Sequence, residues 1–450
     1  MNKNICFIAN YYKTDVFIEI AKALQPHSIT TYWIIPNRKQ FNSLKQIFPE
    51  HQLLYIGKKE VLASQLEPLD FDLKVNELVY GDRVLREESK RWSYDYLLKI
   101  QPIVYTFLNQ NKISFVFGEV TWAHELIVHR LITAAKDLNC QFLNPHTIRI
   151  PNGRFAFFTD EFQSKIKEVL LPSENETSKI KLEKPSYLAI NDKLLLKKGT
   201  LKYNIKLLKN FLFRTNQDSN DPTLYSNMLI QFRIRIAELY NRLIFKYFVR
   251  ETAISDLPPN YKKVLFTLHK QPEASIDVIG RYYEDQMNLI INVWRILPND
   301  YILLVKEHSN AIGDRNLNFY KRIKHLRNTF LINNKSDSHK LLEEVEAVFT
   351  VSGTIAYEAA LKNRKGFTFA PTFFNKLNHC IEVSWKDFAK KQIQDLSKEK
   401  PQGLEINAFS SWLIKNSFQG IMSDSYGDPR SMQIENIDDL STAFLTIINT

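Results

Sequence analysis

Apolar and polar positions along this chain repeat with two periods. Short apolar runs, NICFIAN (4–10), TTYWIIP (30–36), QLLYIG (52–57) and ISFVFGE (113–119), read as buried strands. Between and after them, stretches such as VFIEIAKAL and WAHELIVHRLITAAKDL (122–138) carry apolar residues at helical spacing. Strand–helix alternation of this kind predicts a parallel sheet covered on both faces. The rhythm stops at Pro151. A Ser/Glu/Lys-rich stretch (173–186) follows, then two helical segments flanking NQDSNDP (216–222). From Tyr261 it resumes through VLFTL, YILLVK, TFLIN, AVFTV and GFTFA, with helical patterns between most of them. The expected class is α/β: two Rossmann-like parallel-sheet domains facing a cleft, with a helical insert. Its expected limits are 1–150 for the first domain, 151–260 for the insert and connection, 261–400 for the second domain, and 401–450 for helices packing back.

At 450 residues, 44% hydrophobic and 12% aromatic, the chain can fill two cores. No run of eighteen apolar residues occurs, so no membrane span is expected, and MNKNICFIANYYKTD reads as a strand rather than a signal peptide. Cys6, Cys140 and Cys380 are distant and odd in number, which points to a reducing cytosol and away from disulfides or a cysteine metal site. The Asn175 sequon is then no glycosylation acceptor. The net charge is +11, and residues 193–250 hold twelve Lys/Arg against three Asp/Glu. That strip, rich in Phe, Leu and Tyr, suits an anionic membrane surface or an acidic polymer, and equally a solvated helical face. No nucleic-acid motif accompanies it. Gly is scarce, at 12 residues, and no G-x-G-x-x-G follows a strand, which disfavours a dinucleotide-binding domain.

Three strands of the second half run straight into polar clusters, which should gather where open α/β sheets bind ligands, beyond their carboxyl ends. Ser352-Gly353-Thr354 follows AVFTV and opens a helix, so it can cradle a phosphate on exposed N–H groups or serve as an ordinary N-cap. Glu358, four residues on, reads as a ribose contact or a surface charge. Lys306-Glu307-His308 ends YILLVK and offers cationic or neutral donors to a leaving phosphate. Gln271-Pro272-Glu273-Ala274-Ser275 supplies a carboxylate suited to nucleophilic or oxocarbenium-stabilising work, or a helix cap, with His269 and Lys270 as further phosphate contacts. In the first half, Glu119 ends a strand and is the candidate for activating an acceptor, or else caps the helix near Trp122. Arg149, Arg154 and Asp160 form a polar loop whose arginines suit an anionic acceptor. HELIVH (124–129) spaces its histidines five apart, whereas a helical zinc site needs four.

HKQPEAS, the DQMNLI helix, VKEH followed by FYKRIK, the DSHKL segment and TVSGTIAYEAAL resemble, in order and spacing, the capsule polysaccharide biosynthesis family. That family is related to the retaining β-Kdo glycosyltransferases of bacterial capsule and O-antigen (lipopolysaccharide) assembly. The resemblance is specific over Val264–Phe374 and weaker over Phe115–Asp160. It implies a GT-B-like enzyme, the nucleotide-sugar-binding domain C-terminal and the acceptor side N-terminal, that uses a CMP-sugar, CMP-Kdo or a related ulosonic acid, as donor and a glycan or glycolipid as acceptor. Glu273 stands at the family's acidic catalytic position. His308-Ser309 stands at the His-Pro of related sugar transferases and departs from it at the second residue. The expected catalytic set is Glu273, Glu119 and His308. Gln271, Ser275, Lys306, His308, Ser352, Gly353, Thr354 and Glu358 are expected to bind the donor, with no metal and no permanently bound cofactor. A UDP-sugar donor, or a non-catalytic polysaccharide-binding or export partner of the same fold, remains the alternative. A cytoplasmic protein, peripheral on the inner face of the plasma membrane, is the expected setting.

Overall fold

The computed structural model describes residues 3–169, 209, 218–398 and 403–450. The 173–186 stretch, and the basic segment from 193 to 217 apart from Lys209, lie outside the described residues.

Two α/β domains, each built on one sheet, form the molecule. The first sheet has seven strands in the order β13-β6-β5-β4-β1-β2-β3. These are β1 (Lys3–Ile8), β2 (Ile29–Ile35), β3 (Leu53–Tyr55), β4 (Ile113–Phe117), β5 (Gln141–Thr147), β6 (Arg154–Phe158) and β13 (Phe418–Gln419). β1 to β5 are parallel, while β6 and β13 close one edge antiparallel. The second sheet is wholly parallel, ordered β12-β11-β10-β7-β8-β9. Its strands are β7 (Lys262–Thr267), β8 (Tyr301–Lys306), β9 (Thr329–Ile332), β10 (Ala347–Thr350), β11 (Lys365–Thr368) and β12 (Cys380–Glu382).

Burial on both faces explains the near-continuous apolar runs. In β1, Ile5 and Phe7 enter one core layer, and Cys6 and Ile8 the other. In β7, Val264 and Phe266 face one layer and Leu265 its opposite.

The limit expected at 150/151 falls inside the first sheet, because β6 continues it past Pro151 and Ile166 bridges back to Phe158. The tail also completes this domain: Leu440, Phe444, Ile447 and Ile448 of the Ile434–Asn449 helix pack with Phe17, Ile20 and Leu24. Past β6, the described part of the insert from residue 218 onward is a ten-residue approach, one long helix, Met228–Phe248, and the segment that leads to β7. The approach does not stand off in solvent. Asp221 is fully buried and accepts from Asn37 at 2.7 Å, and Asn220 accepts from the Lys59 N–H at 2.7 Å.

An apolar cluster joins the domains, with Ile148, Ile150 and Phe158 packed against Tyr357, Phe373 and Phe374. Each sheet changes its winding direction once near its centre, between β1 and β4 and between β7 and β10. Open sheets bind ligands at such switch points. Residues just past both of them line one cavity of about 1650 Å³ between the domains.

Candidate functional site

β10 leads into the Thr354–Leu361 helix through Val351, Ser352 and Gly353. Gly353 occupies the N-cap with no capping side chain, so its loop is shaped by close approach. A Cβ there would lie 2.6 Å from Thr350 Oγ1 and 3.5 Å from the His269 ring. His269 supports the loop from beneath: its Nε2 lies 2.9 Å from Thr350 Oγ1 and accepts the Ser352 N–H at 3.3 Å. Accepting that N–H places the proton of the neutral ring on Nδ1. Burial pushes the ring down to about 3, so His269, which also lines the cavity, is neutral at physiological pH and supports the loop. Gln286 holds its backbone from both sides, at 2.7 Å and 3.2 Å.

The Ser352 hydroxyl is also engaged, donating to the Ser275 carbonyl at 2.8 Å, which ties the β10 loop to the β7 loop. Thr354 and Glu358 line the cavity. Glu358 is buried and pairs with His339 Nε2 at 3.3 Å. The bond from Glu358 raises the His339 pKa. DSHKL carried His339 into the sequence pattern, but its pairing across nineteen positions was not legible there.

At the end of β8 the three charged residues separate. Glu307 is fully buried and accepts from Arg315 (2.7 Å), Tyr320 Oη (2.8 Å) and the His308 N–H (2.8 Å), a buttress for the loop. Lys306 and His308 line the cavity. Burial lowers the Lys306 pKa against the opposing pull of Glu251 and Asp337. Burial also lowers that of His308, with the Glu273 carboxylate opposing. His308 Nδ1 accepts the Asn310 N–H at 3.2 Å, which leaves Nε2 to carry the proton of the neutral ring.

After β7, Glu273 is exposed at the N-cap of the one-turn helix Ala274–Asp277 and accepts from the Ser275 hydroxyl at 3.0 Å. Asp277 fixes this loop, accepting the Glu273 N–H and the Gln271 amide, both at 3.0 Å. Gln271 is thereby turned away from the cavity walls, which include Glu273 and Ser275 but not Gln271. Its side chain serves the loop, not a donor.

Across the cavity stands Glu119, past the end of β4, held by Lys13 at 3.1 Å and Asn10 at 3.1 Å. The helix cap nearby belongs to Glu125, which accepts the Thr121 and Trp122 N–H groups at 3.0 Å each and Asn10 at 3.0 Å. Burial, with Glu119 beside it, pushes Glu125 up to about 8. Arg149 lines the same wall, and His146 next to it is pushed down to about 3 by burial and by Lys13 and Arg149. Arg154 does not join them: it lies in β6, buried, bonded to Ser417 Oγ at 2.9 Å and the Ile414 carbonyl at 3.1 Å. Asp160 closes a turn on Ser164 and Lys165. His124 and His129 of HELIVH are both buried in the core, and among the described residues no cluster of His, Cys, Asp and Glu could hold a metal.

One cavity therefore brings together Glu273, Ser275, Lys306, His308, Ser352, Gly353, Thr354 and Glu358 from the second domain with Glu119 from the first. Lys306, the His308 Nε2–H and a helix N-terminus on one wall can hold an anionic phosphate, and a carboxylate stands on each side.

No protein-family model and no curated protein matches the chain. Among solved structures it is similar to the β-Kdo 2,7 transferase of Thermosulfurimonas dismutans KpsC, at 10% identity and TM-score 0.39 over 98% of this chain and 99% of that one. The β-Kdo 2,4 transferase of the same KpsC aligns at 13% identity and TM-score 0.35, over 74% and 87%. A UDP-GlcNAc 2-epimerase from Neisseria meningitidis, bound to UDP-GlcNAc, aligns over the whole of both chains at 11% identity and TM-score 0.25. At these scores the fold rests on the strand topology above, and the function on the site.

Proposed function

We propose that this protein is a glycosyltransferase of bacterial surface-polysaccharide synthesis that takes a CMP-activated ulosonic acid, Kdo or a close relative, as donor. The observation that carries the reading is the meeting of Glu273, His308 and Ser352-Gly353-Thr354, residues some eighty positions apart, on one cavity at the sheet's switch point. The donor phosphate would sit against the first N–H groups of the Thr354–Leu361 helix, with Lys306 and His308 offsetting the charge that develops as CMP leaves. Glu273, exposed and without a cationic partner among its hydrogen bonds, would attack the anomeric carbon or stabilise its cationic form. If it attacks, the carbon–oxygen bond to the phosphate breaks and CMP departs with the electron pair. The acceptor hydroxyl then displaces the carboxylate, and two inversions give retention. Glu119, fixed by Lys13 and Asn10, would accept the hydroxyl proton.

The test is CMP release from CMP-Kdo. Glu273→Gln should abolish turnover while CMP still raises the melting temperature; unchanged turnover would remove Glu273 from the chemistry. A UDP-sugar transferase would instead be stabilised by UDP and not by CMP. A silent polysaccharide-binding protein would respond to neither nucleotide.

A further inference from the structure

The Met228–Phe248 helix turns one face to the second domain. Phe245 is buried against Tyr320, with ring centroids 5.2 Å apart, and Asn241 donates to the Gly313 carbonyl at 3.2 Å. Gly313, at φ 108, is needed for this approach, since a Cβ would lie 2.8 Å from the Glu238 carbonyl. At 3.6 residues per turn, Leu229, Ile236, Leu239, Tyr240, Leu243 and Tyr247 fall in an arc of roughly 100° opposite Phe245. All six are exposed, from 48% at Ile236 to 74% at Leu229. The arc is bordered by cations, Arg235, Arg242 and Lys246 along one edge and Arg233 along the other. The helix carries four basic residues against Glu238 alone.

An apolar stripe between two basic edges fits a particular surface. The width suits burial of one helix face at the headgroup–acyl boundary, and the bordering cations suit anionic headgroups. Arg235 and Arg242 pair with Glu238, and Arg233 with Glu87, each at 2.9 Å, but the guanidiniums remain half or more exposed and such surface pairs yield readily to competing anions. Among the described residues no helix is long and apolar enough to cross a membrane, so this one would lie in the interface plane. We propose that this helix docks the protein onto an anionic lipid bilayer. The helix also spans the two domains: Arg233 meets Glu87 of the first, and Asn241 and Phe245 meet the loop and helix that follow His308. Docking there sets the cleft beside the lipid surface.

The test is co-sedimentation of the full chain with vesicles of phosphatidylglycerol and phosphatidylcholine, against phosphatidylcholine alone, at low and high salt. The expected result is binding to the anionic vesicles only, weakened by salt. Binding should fall about tenfold or more in Arg233→Glu/Lys246→Glu, and be lost at low salt too in Leu239→Ser/Leu243→Ser/Tyr247→Ser. These side chains are exposed, so both variants should keep the wild-type melting temperature. Three results would overturn the proposal. One is absence of wild-type binding. Another is wild-type-like binding by the serine variant. The third is a wild-type dimer in light scattering that the serine variant dissolves, which would make the stripe a contact between two copies. Vesicle binding is read without any nucleotide, so its outcome stands apart from that of the CMP experiments.

Discussion

Replacing Arg281 with alanine should loosen the two domains from each other. Arg281 belongs to the second domain, yet its side chain is 7% exposed and reaches into the first. Its Nε lies 2.6 Å from Glu77 and a terminal nitrogen 2.9 Å from Glu161, while the guanidinium covers the Phe162 ring at 4.1 Å. Glu77 and Glu161 both also meet Arg130, and Tyr282 Oη donates to Glu77 at 2.7 Å. Two carboxylates thus share two guanidiniums. Alanine leaves the two carboxylates one guanidinium, Arg130, with the Tyr282 hydroxyl still on Glu77. Stripping one partner from a buried ion pair costs about 3–5 kcal/mol, and a cation–π contact adds about 0.5–2 kcal/mol. The carboxylates keep 17% and 16% exposure and can recruit water, so these figures do not add; we expect about 2–4 kcal/mol. Urea titration followed by fluorescence reads this as a fall in midpoint. A double-mutant cycle assigns it, because Arg281→Ala should do much less harm in a Glu77→Gln background. Acid should mimic the mutation. Burial alone would raise the Glu77 pKa, but Tyr282, Arg130 and Arg281 together bring it below the ordinary carboxylate value. A depressed carboxylate stabilises the fold above its unfolded pKa and loses that contribution as pH falls through its folded value. The wild-type advantage over Arg281→Ala should therefore be full at neutral pH and shrink below about pH 4. A midpoint change within about 0.5 kcal/mol of zero, or additivity with Glu77→Gln, would refute the reasoning.

Two further outcomes are expected. In Gly353→Ala the new methyl meets Thr350 Oγ1, itself buried and bonded to His269, so the loop must shift; stability should fall by about 1–3 kcal/mol and the rise in melting temperature with CMP should be lost. Retention of both would show that the close approach is irrelevant to the site. Glu125→Gln should change the pH profile of stability. A carboxylate whose folded pKa is raised to about 8 holds its proton in the fold after the unfolded chain has lost it, so wild-type stability should decline as pH rises from about 4.5 to 8. Urea midpoints of the variant should be flatter over that window, and parallel profiles would contradict the assignment.

Much of this fold was legible because buried parallel strands are written as apolar runs: YILLVK is β8 residue for residue, and AVFTV followed by Ser-Gly-Thr is β10 with the helix it feeds. β5 was not legible, since Asn144, Pro145 and His146 interrupt its apolar pattern where the sheet turns from parallel to antiparallel. β12 and β13, three and two residues long, carry too few positions for any period. The same physics divides the site. Which loops face the cleft follows from strand order, and that much a sequence conveys. Which polar atom in a loop is left for a ligand depends on partners elsewhere in the chain. Gln271 and Glu273 look equivalent in QPEAS, but Asp277 takes the amide of one and leaves the carboxylate of the other at the cavity wall. Glu307 and His308 are neighbours, yet Arg315 and Tyr320 draw the first into the core. In each pair the residue removed from the site is the one whose hydrogen-bonding capacity the fold itself consumes. A buried polar group must be satisfied, so the candidates for chemistry are those that the surrounding structure leaves with capacity to spare.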